Sequence, residues 1–150
     1  MVNAVMNVSD KRLCAAPRET VFRAFTEKGL IEKWFGPSEE VSVTVEALDL
    51  KVGGAYRYWF HMPDGTEKVL EGRYKEISPP EKLVYSWTWT DNDQFVGAET
   101  QVTVEFRQQG DQTEVHLLHE LFPDGEMCEY HTAGWNGALD RLEKTCPRLD

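Results

Sequence analysis

The sequence predicts an α+β protein in which an antiparallel sheet of six or seven strands is covered by one long C-terminal helix, with two short helices after the first strand. Three observations carry this. Apolar residues recur at helical spacing up to Pro37 and alternate with polar ones after it. Five alternating segments are then separated by turn-forming stretches, and the chain closes on a long segment that returns to helical spacing. The 150 residues suit one domain over 1–150, since a chain of this size buries roughly 68–70% of its unfolded surface and needs no metal or disulfide to fold. No repeat, low-complexity segment or linker interrupts the pattern.

A short alternating segment leads to Ala16-Pro17. Proline suits the first turn of a helix, where its missing N–H would be unpaired anyway, and Val21, Phe22 and Phe25 continue at helical spacing to about Thr26. Thr26 is then placed to cap a second short helix carrying Leu30, Ile31, Trp34 and Phe35. Gly36-Pro37 ends that helix, because proline disfavours helical backbone angles in the residue before it.

Beyond Pro37 the period is two. Val41, Val43, Val45 and Ala47 alternate with polar neighbours, and the same period of two holds, with mostly polar neighbours, for Tyr56, Tyr58 and Phe60, then Leu83, Tyr85, Trp87 and Trp89, then Val102, Val104 and Phe106, then Val115, Leu117, His119 and Leu121. One wet and one covered face is the antiparallel pattern. Met62-Pro63-Asp64-Gly65 and Gln109-Gly110-Asp111 have hairpin chemistry, and Ser78-Pro79-Pro80-Glu81 separates two strands.

The final helix is expected from near Asp124-Gly125 to about Thr145. Met127, Cys128, His131, Gly134, Trp135, Ala138, Leu139, Leu142 and Cys146 fall within an arc of roughly 140°, and the apolar face of the sheet is the one surface large enough to receive them. Gly134 and Gly137 each cost about 1 kcal/mol relative to alanine in a helix. Glycine there permits either close backbone approach or free volume, and both readings stay open.

Charge excludes several function classes. Lys and Arg total 16 against 26 Asp and Glu, a formal net charge of −10, so nucleic acid and anionic membrane surfaces are not expected partners. The segment MVNAVMNVSDKR has no signal-peptide pattern and no apolar run approaches a membrane span, which points to a cytoplasmic protein. Cys14, Cys128 and Cys146 lack metal-type spacing and are expected as reduced, mostly buried thiols.

Metal and cofactor sites are not expected. His116 and His119 stand three apart on a strand and so face opposite ways. Asp91-Asn92-Asp93 lacks the glycine and later ligands of a calcium loop. Neither a nucleophile elbow, a phosphate loop nor a dinucleotide fingerprint is present, and Ser42 and Ser86 take outward parity. What remains is aromatic. Tyr56, Tyr58, Tyr85, Trp87 and Trp89 share the inward face with His119, opposite His131 and Trp135 of the last helix. Such groups either pack as core or line a cavity, and each buried imidazole needs a partner. Outward Trp59 and Leu118 mark a candidate surface for a partner or a second copy.

The run Ala16-Pro17-Arg18-Glu19-Thr20-Val21-Phe22-Arg23-Ala24-Phe25-Thr26, with Leu30, Trp34, Phe35, Gly36 and Pro37, resembles the opening of proteins like the activator of heat-shock protein 90 ATPase. Val52-Gly53-Gly54, Tyr56-Arg57 and Pro79-Pro80-Glu81-Lys82-Leu83-Val84-Tyr85-Ser86-Trp87 are similar to its middle, and Gly134-Trp135, Leu139 and Leu142 to its end. That family belongs to the START-like or SRPBCC superfamily. The resemblance implies a helix-grip fold, a curved sheet wrapped around the C-terminal helix with a cavity between them.

In that fold Trp34 would stand at the cavity mouth. Trp34, Tyr56, Tyr58, Tyr85, Trp87, Trp89, His119, His131 and Trp135 are then the candidate contacts for a small hydrophobic or aromatic ligand. Two alternatives are a co-chaperone-like module with a chaperone partner and a cyclase- or hydrolase-type enzyme using the same cavity, since one fold hosts many functions.

Overall fold

The computed structural model describes residues 7–91 and 95–149. Strand β1 (Val8–Cys14) leads into helices α1 (Arg18–Thr26) and α2 (Lys28–Trp34). Strands β2 (Ser42–Leu48), β3 (Ala55–His61), β4 (Glu67–Ser78), β5 (Lys82–Asp91), β6 (Glu99–Gln109) and β7 (Gln112–Glu120) follow. Helix α3 (Gly125–Thr145) then runs into a 3-10 turn over Cys146–Arg148.

All seven strands pair antiparallel in one curved sheet, in the order β1-β7-β6-β5-β4-β3-β2. The first strand thus closes on the last, leaving β1 and β2 as edges. The turns behave as their residues require. Gly65 and Gly110 take φ of 89° and 65°, and Met62 N–H bonds the Thr66 carbonyl at 2.8 Å across the β3–β4 hairpin.

Alternation places Val43, Val45, Tyr56, Tyr58, Phe60, Trp87, Trp89, Val102, Val104, Phe106, Val115 and Leu117 in the core. There they meet Met127, Trp135, Leu139 and Leu142 of α3. A large apolar side chain buried this way contributes roughly 1.5–3 kcal/mol relative to an exposed one. Asp124 caps α3 by accepting from Met127 N–H at 2.8 Å. Helix α1 lies on β6, with the Phe22 and Phe25 rings each 5.3 Å from that of Phe106.

Several local expectations are corrected. Thr26 ends α1 instead of capping α2: its hydroxyl donates to the Phe22 carbonyl at 3.0 Å, and Glu27 takes the cap position. Ala47 is exposed because the β2–β3 register shifts between Val45 and Ala47. Leu121 lies past the end of β7 with φ of 72° and is 62% exposed; the turn brings Phe122 inward instead, 5% exposed.

Ser86 is buried despite its outward parity. Its hydroxyl accepts from Arg73 N–H at 2.9 Å, beside the β4–β5 irregularity between Tyr74 and Glu76. The expectation of buried thiols fits Cys14 and Cys146, while Cys128 is half-buried. A hydrogen bond with Cys146, reinforced by burial, holds the Cys14 thiol well above its usual range.

Candidate functional site

Three indoles and two imidazoles interlock between the sheet and α3. His131 Nδ1 lies 2.8 Å from the Met127 carbonyl one turn back along the helix. A carbonyl only accepts, so Nδ1 carries the proton and Nε2 is the acceptor. Into that nitrogen donate Trp89 Nε1 at 2.9 Å and Trp87 Nε1 at 3.2 Å.

His119 takes the complementary tautomer. Its Nδ1 accepts from Trp135 Nε1 at 2.9 Å, so Nε2 donates to Thr100 Oγ1 at 2.7 Å. Thr100 in turn donates to the Trp87 carbonyl at 3.1 Å. The circuit joins β5, β6, β7 and α3, and both imidazoles use both nitrogens inside the protein.

Neutrality is what burial demands. His131 is 3% exposed and His119 fully buried, and desolvation penalises the charged form. Burial pushes the His131 pKa down to about 4, with the Met127 carbonyl opposing the shift. Burial and the nearby His131 hold His119 well below its usual value. Nearby, Tyr56, Tyr58 and Tyr85 are raised well above the ordinary phenol range, chiefly by burial, and Tyr74 to about 12 by the same cause.

Beside this circuit a cavity of about 370 Å³ lies between α3, the inner face of β3–β5 and the turn after α2. Trp87, Trp89, His131 and Trp135 border it, together with Phe35, Phe60, Met62, Lys68, Tyr130 and Gly134. Gly134 faces open space: a Cβ there would meet no atom within 4 Å. Gly137 serves the other purpose, since a Cβ would fall on the Pro37 carbonyl oxygen. The two helix glycines thus divide between free volume and close approach.

Four of the nine predicted site residues, Trp87, Trp89, His131 and Trp135, meet at the cavity. Trp34 is fully buried rather than at the mouth. Its Nε1 donates to the Ala24 carbonyl at 2.8 Å and its ring packs on Phe25 at 4.8 Å. The bordering position falls to Phe35, whose ring meets Trp135 at 5.7 Å and Tyr58 at 5.3 Å. Tyr56, Tyr58, Tyr85 and His119 form the packed layer beyond the lining. Tyr56 and Tyr85 stack edge to face at 5.5 Å, and the Tyr56 hydroxyl donates to the Ser86 carbonyl at 2.6 Å.

Sequence reasoning missed Lys68 and Tyr130 at the cavity. Lys68 pairs with Phe60 across β3 and β4, so it stands on the inner face. The signal was hidden by register shifts at Val69/Leu70 and Tyr74/Glu76, which break the alternation of β4. Tyr130 is the helix neighbour of His131 at the margin of the apolar arc. Among the described residues no group of three or more His, Cys, Asp or Glu side chains is arranged to hold a metal ion. His116 pairs with Glu114 on the opposite side of β7 from His119. No helix among the described residues is long and apolar enough to cross a membrane.

A curved seven-stranded antiparallel sheet gripping a long C-terminal helix defines a helix-grip protein of the START-like class. The chain belongs to the family described as Activator of Hsp90 ATPase homolog 1-like protein, whose model matches residues 15–146. Among solved structures, a protein from Chromobacterium violaceum is 26% identical with a TM-score of 0.81, over 93% of this chain and 96% of that one.

The AHSA1 protein from Silicibacter pomeroyi is 23% identical with a TM-score of 0.82, over 96% and 99% of the two chains. DynU16, a protein in the dynemicin biosynthetic locus, is 21% identical with a TM-score of 0.76, over 95% of this chain and 47% of that one. No curated protein matches the chain significantly.

Proposed function

We propose that the chain binds a small hydrophobic or aromatic ligand in the cavity between the sheet and α3. The observation that carries this is the open lining itself: an aromatic space of about 370 Å³, within the range of small-molecule sites, beside a helix glycine that no neighbour requires. Trp87, Trp89, Trp135 and Phe35 offer ring faces to the ligand. Trp34, Tyr58 and His119 hold those rings from behind, with Tyr56 packed on Tyr58 and Tyr85 on Tyr56.

Binding without turnover is the reading the imidazoles favour. A general base needs a nitrogen within reach of the substrate, and His119 and His131 already use theirs on indoles, a threonine and a carbonyl. Native mass spectrometry of freshly purified protein and thermal shift across a lipid and polyketide panel test the proposal. The expected result is a bound species, or a rise in melting temperature, that Gly134→Leu abolishes by filling the space. A uniformly ligand-free spectrum with no shift across the panel would sink it.

A further inference from the structure

We propose that the hollow at the C-terminal ends of α2 and α3 is an anion site for a small soluble molecule carrying two phosphate groups, with Lys33, Arg141, Lys144 and Arg148 as its contacts.

The hollow has a volume of about 580 Å³ and shares no lining residue with the aromatic cavity. Lys33 enters it from the last turn of α2, Glu39 from the loop before β2, Arg141 and Lys144 from the end of α3, and Arg148 from the 3-10 turn. Four cations against one carboxylate leave a local charge of +3, in a chain whose formal net charge is −10. Arg12, Arg23, Arg57, Lys75, Lys82 and Arg107 each pair with a carboxylate. None of the four cations of the hollow forms an ion pair among the described residues.

Part of this charge serves the helices, whose C-terminal ends favour cations. Arg141 performs that task. Its Nη1 donates to the Ser38 carbonyl at 3.1 Å and to the Gly36 carbonyl at 3.4 Å, and its Nη2 to the Lys33 carbonyl at 3.3 Å. A guanidinium has five N–H donors, so two stay uncommitted on a group that the turn already holds in place. Lys33, Lys144 and Arg148 are exposed, and their charged groups have no partner to give up. One pre-organised fork and three available cations therefore border the same space, which keeps the cost of ordering a bound anion low.

Phosphate is the anion that this set suits. Guanidinium forks hold it bidentately, and lysine acts on it as a point charge. Each phosphate group carries about −1.5 to −2 near pH 7, so two of them balance the local charge and one does not. An extended polyanion would also meet the acidic remainder of the surface. A compact one bound here feels chiefly the charges within about one Debye length, roughly 8–10 Å at ordinary salt. The site thus favours a small diphosphate over nucleic acid or an anionic membrane.

The test is an amide NMR titration of the isotope-labelled chain at pH 7.5 with pyrophosphate, and with sulfate at matched ionic strength. It is run on the wild type, on the double variant Lys144→Gln with Arg148→Gln, and on Lys11→Gln with Lys28→Gln, which removes the same charge elsewhere. All four substituted side chains lie at the surface, and the amide spectrum itself reports that each variant is folded. The expected result is saturable shifts centred on residues 33–39 and 141–149, with pyrophosphate binding about tenfold tighter than sulfate or better. The Lys144 and Arg148 variant should lose about tenfold in affinity, the Lys11 and Lys28 variant should stay within about twofold of the wild type, and Glu39→Gln should bind more tightly than the wild type. Shifts that do not saturate, equal affinities for the two anions, or equal losses in the two double variants would mean an adventitious ion only, and would overturn the assignment. The reading of the aromatic cavity is independent of either result.

Discussion

His131 is an acceptor for two indoles because it is neutral, and that makes the core sensitive to acid. In the unfolded chain histidine titrates near 6.5, while in the folded protein His131 is held down to about 4. Between those values the unfolded state binds a proton that the native state does not, so stability is full above about pH 6.5 and falls as pH drops. For His131 alone the loss by pH 4 is about 3 kcal/mol, and His119, held low by the same burial, adds to it. Urea midpoints measured from pH 7.5 to pH 4.5 should fall. His131→Gln should fall less steeply with pH while starting lower, because it disturbs the Trp87 and Trp89 bonds. A flat profile in the wild type would show that the imidazoles are not buried neutral.

At the scale of elements, α3 meets its surroundings through two glycines with opposite requirements. Gly134→Ala should stabilise the protein by about 0.5–1 kcal/mol, since alanine is the better helix former and its methyl group finds open space. Gly137→Ala should destabilise it by about 1–3 kcal/mol, since the methyl group collides with the Pro37 carbonyl. Thermal melts of the two variants check both signs.

The pair also shows how far the sequence could be read. Periodicity alone found α3 within its observed bounds Gly125–Thr145 and the inward aromatic row of β3 and β5. It could not distinguish Gly134 from Gly137, because that difference lies in the turn at Pro37, distant in sequence. Strand β4 escaped for a related reason. Its bulges break the alternation, and Gly72 contributes no side chain. That glycine is required by packing: a Cβ would strike the Tyr56 ring and the Ser86 carbonyl. With β4 unrecognised, the inward Lys68 was unrecognised too.

For the molecule as a whole, the seam is between the two ends of the chain. Strand β1 pairs along β7 from Val8↔His119 to Cys14↔Thr113, and Arg12 crosses from it to α3, reaching Glu143 at 2.9 Å and Asp140 at 2.5 Å. With its side chain 16% exposed and Asp10 also bound at 3.2 Å, the guanidinium holds three carboxylates that would otherwise repel one another. Arg12→Met should cost about 1–3 kcal/mol, with amide exchange accelerated in β1 more than in β5. Uniform exchange across the sheet would show that the seam does not open separately.

The indole–imidazole circuit has a further consequence, for how such a protein can change over generations. Its hydrogen bonds close among Trp87, Trp89, Thr100, His119, Met127, His131 and Trp135, so the frame of the cavity is polar and self-contained. Met62, Ala133, Gly134 and Ala138, which also border the space, take no part in it. Substitutions there can reshape the volume without unpairing a buried donor. The frame is insulated from changes in the volume it borders, and descendants of one chain can carry differently sized cavities on the same core.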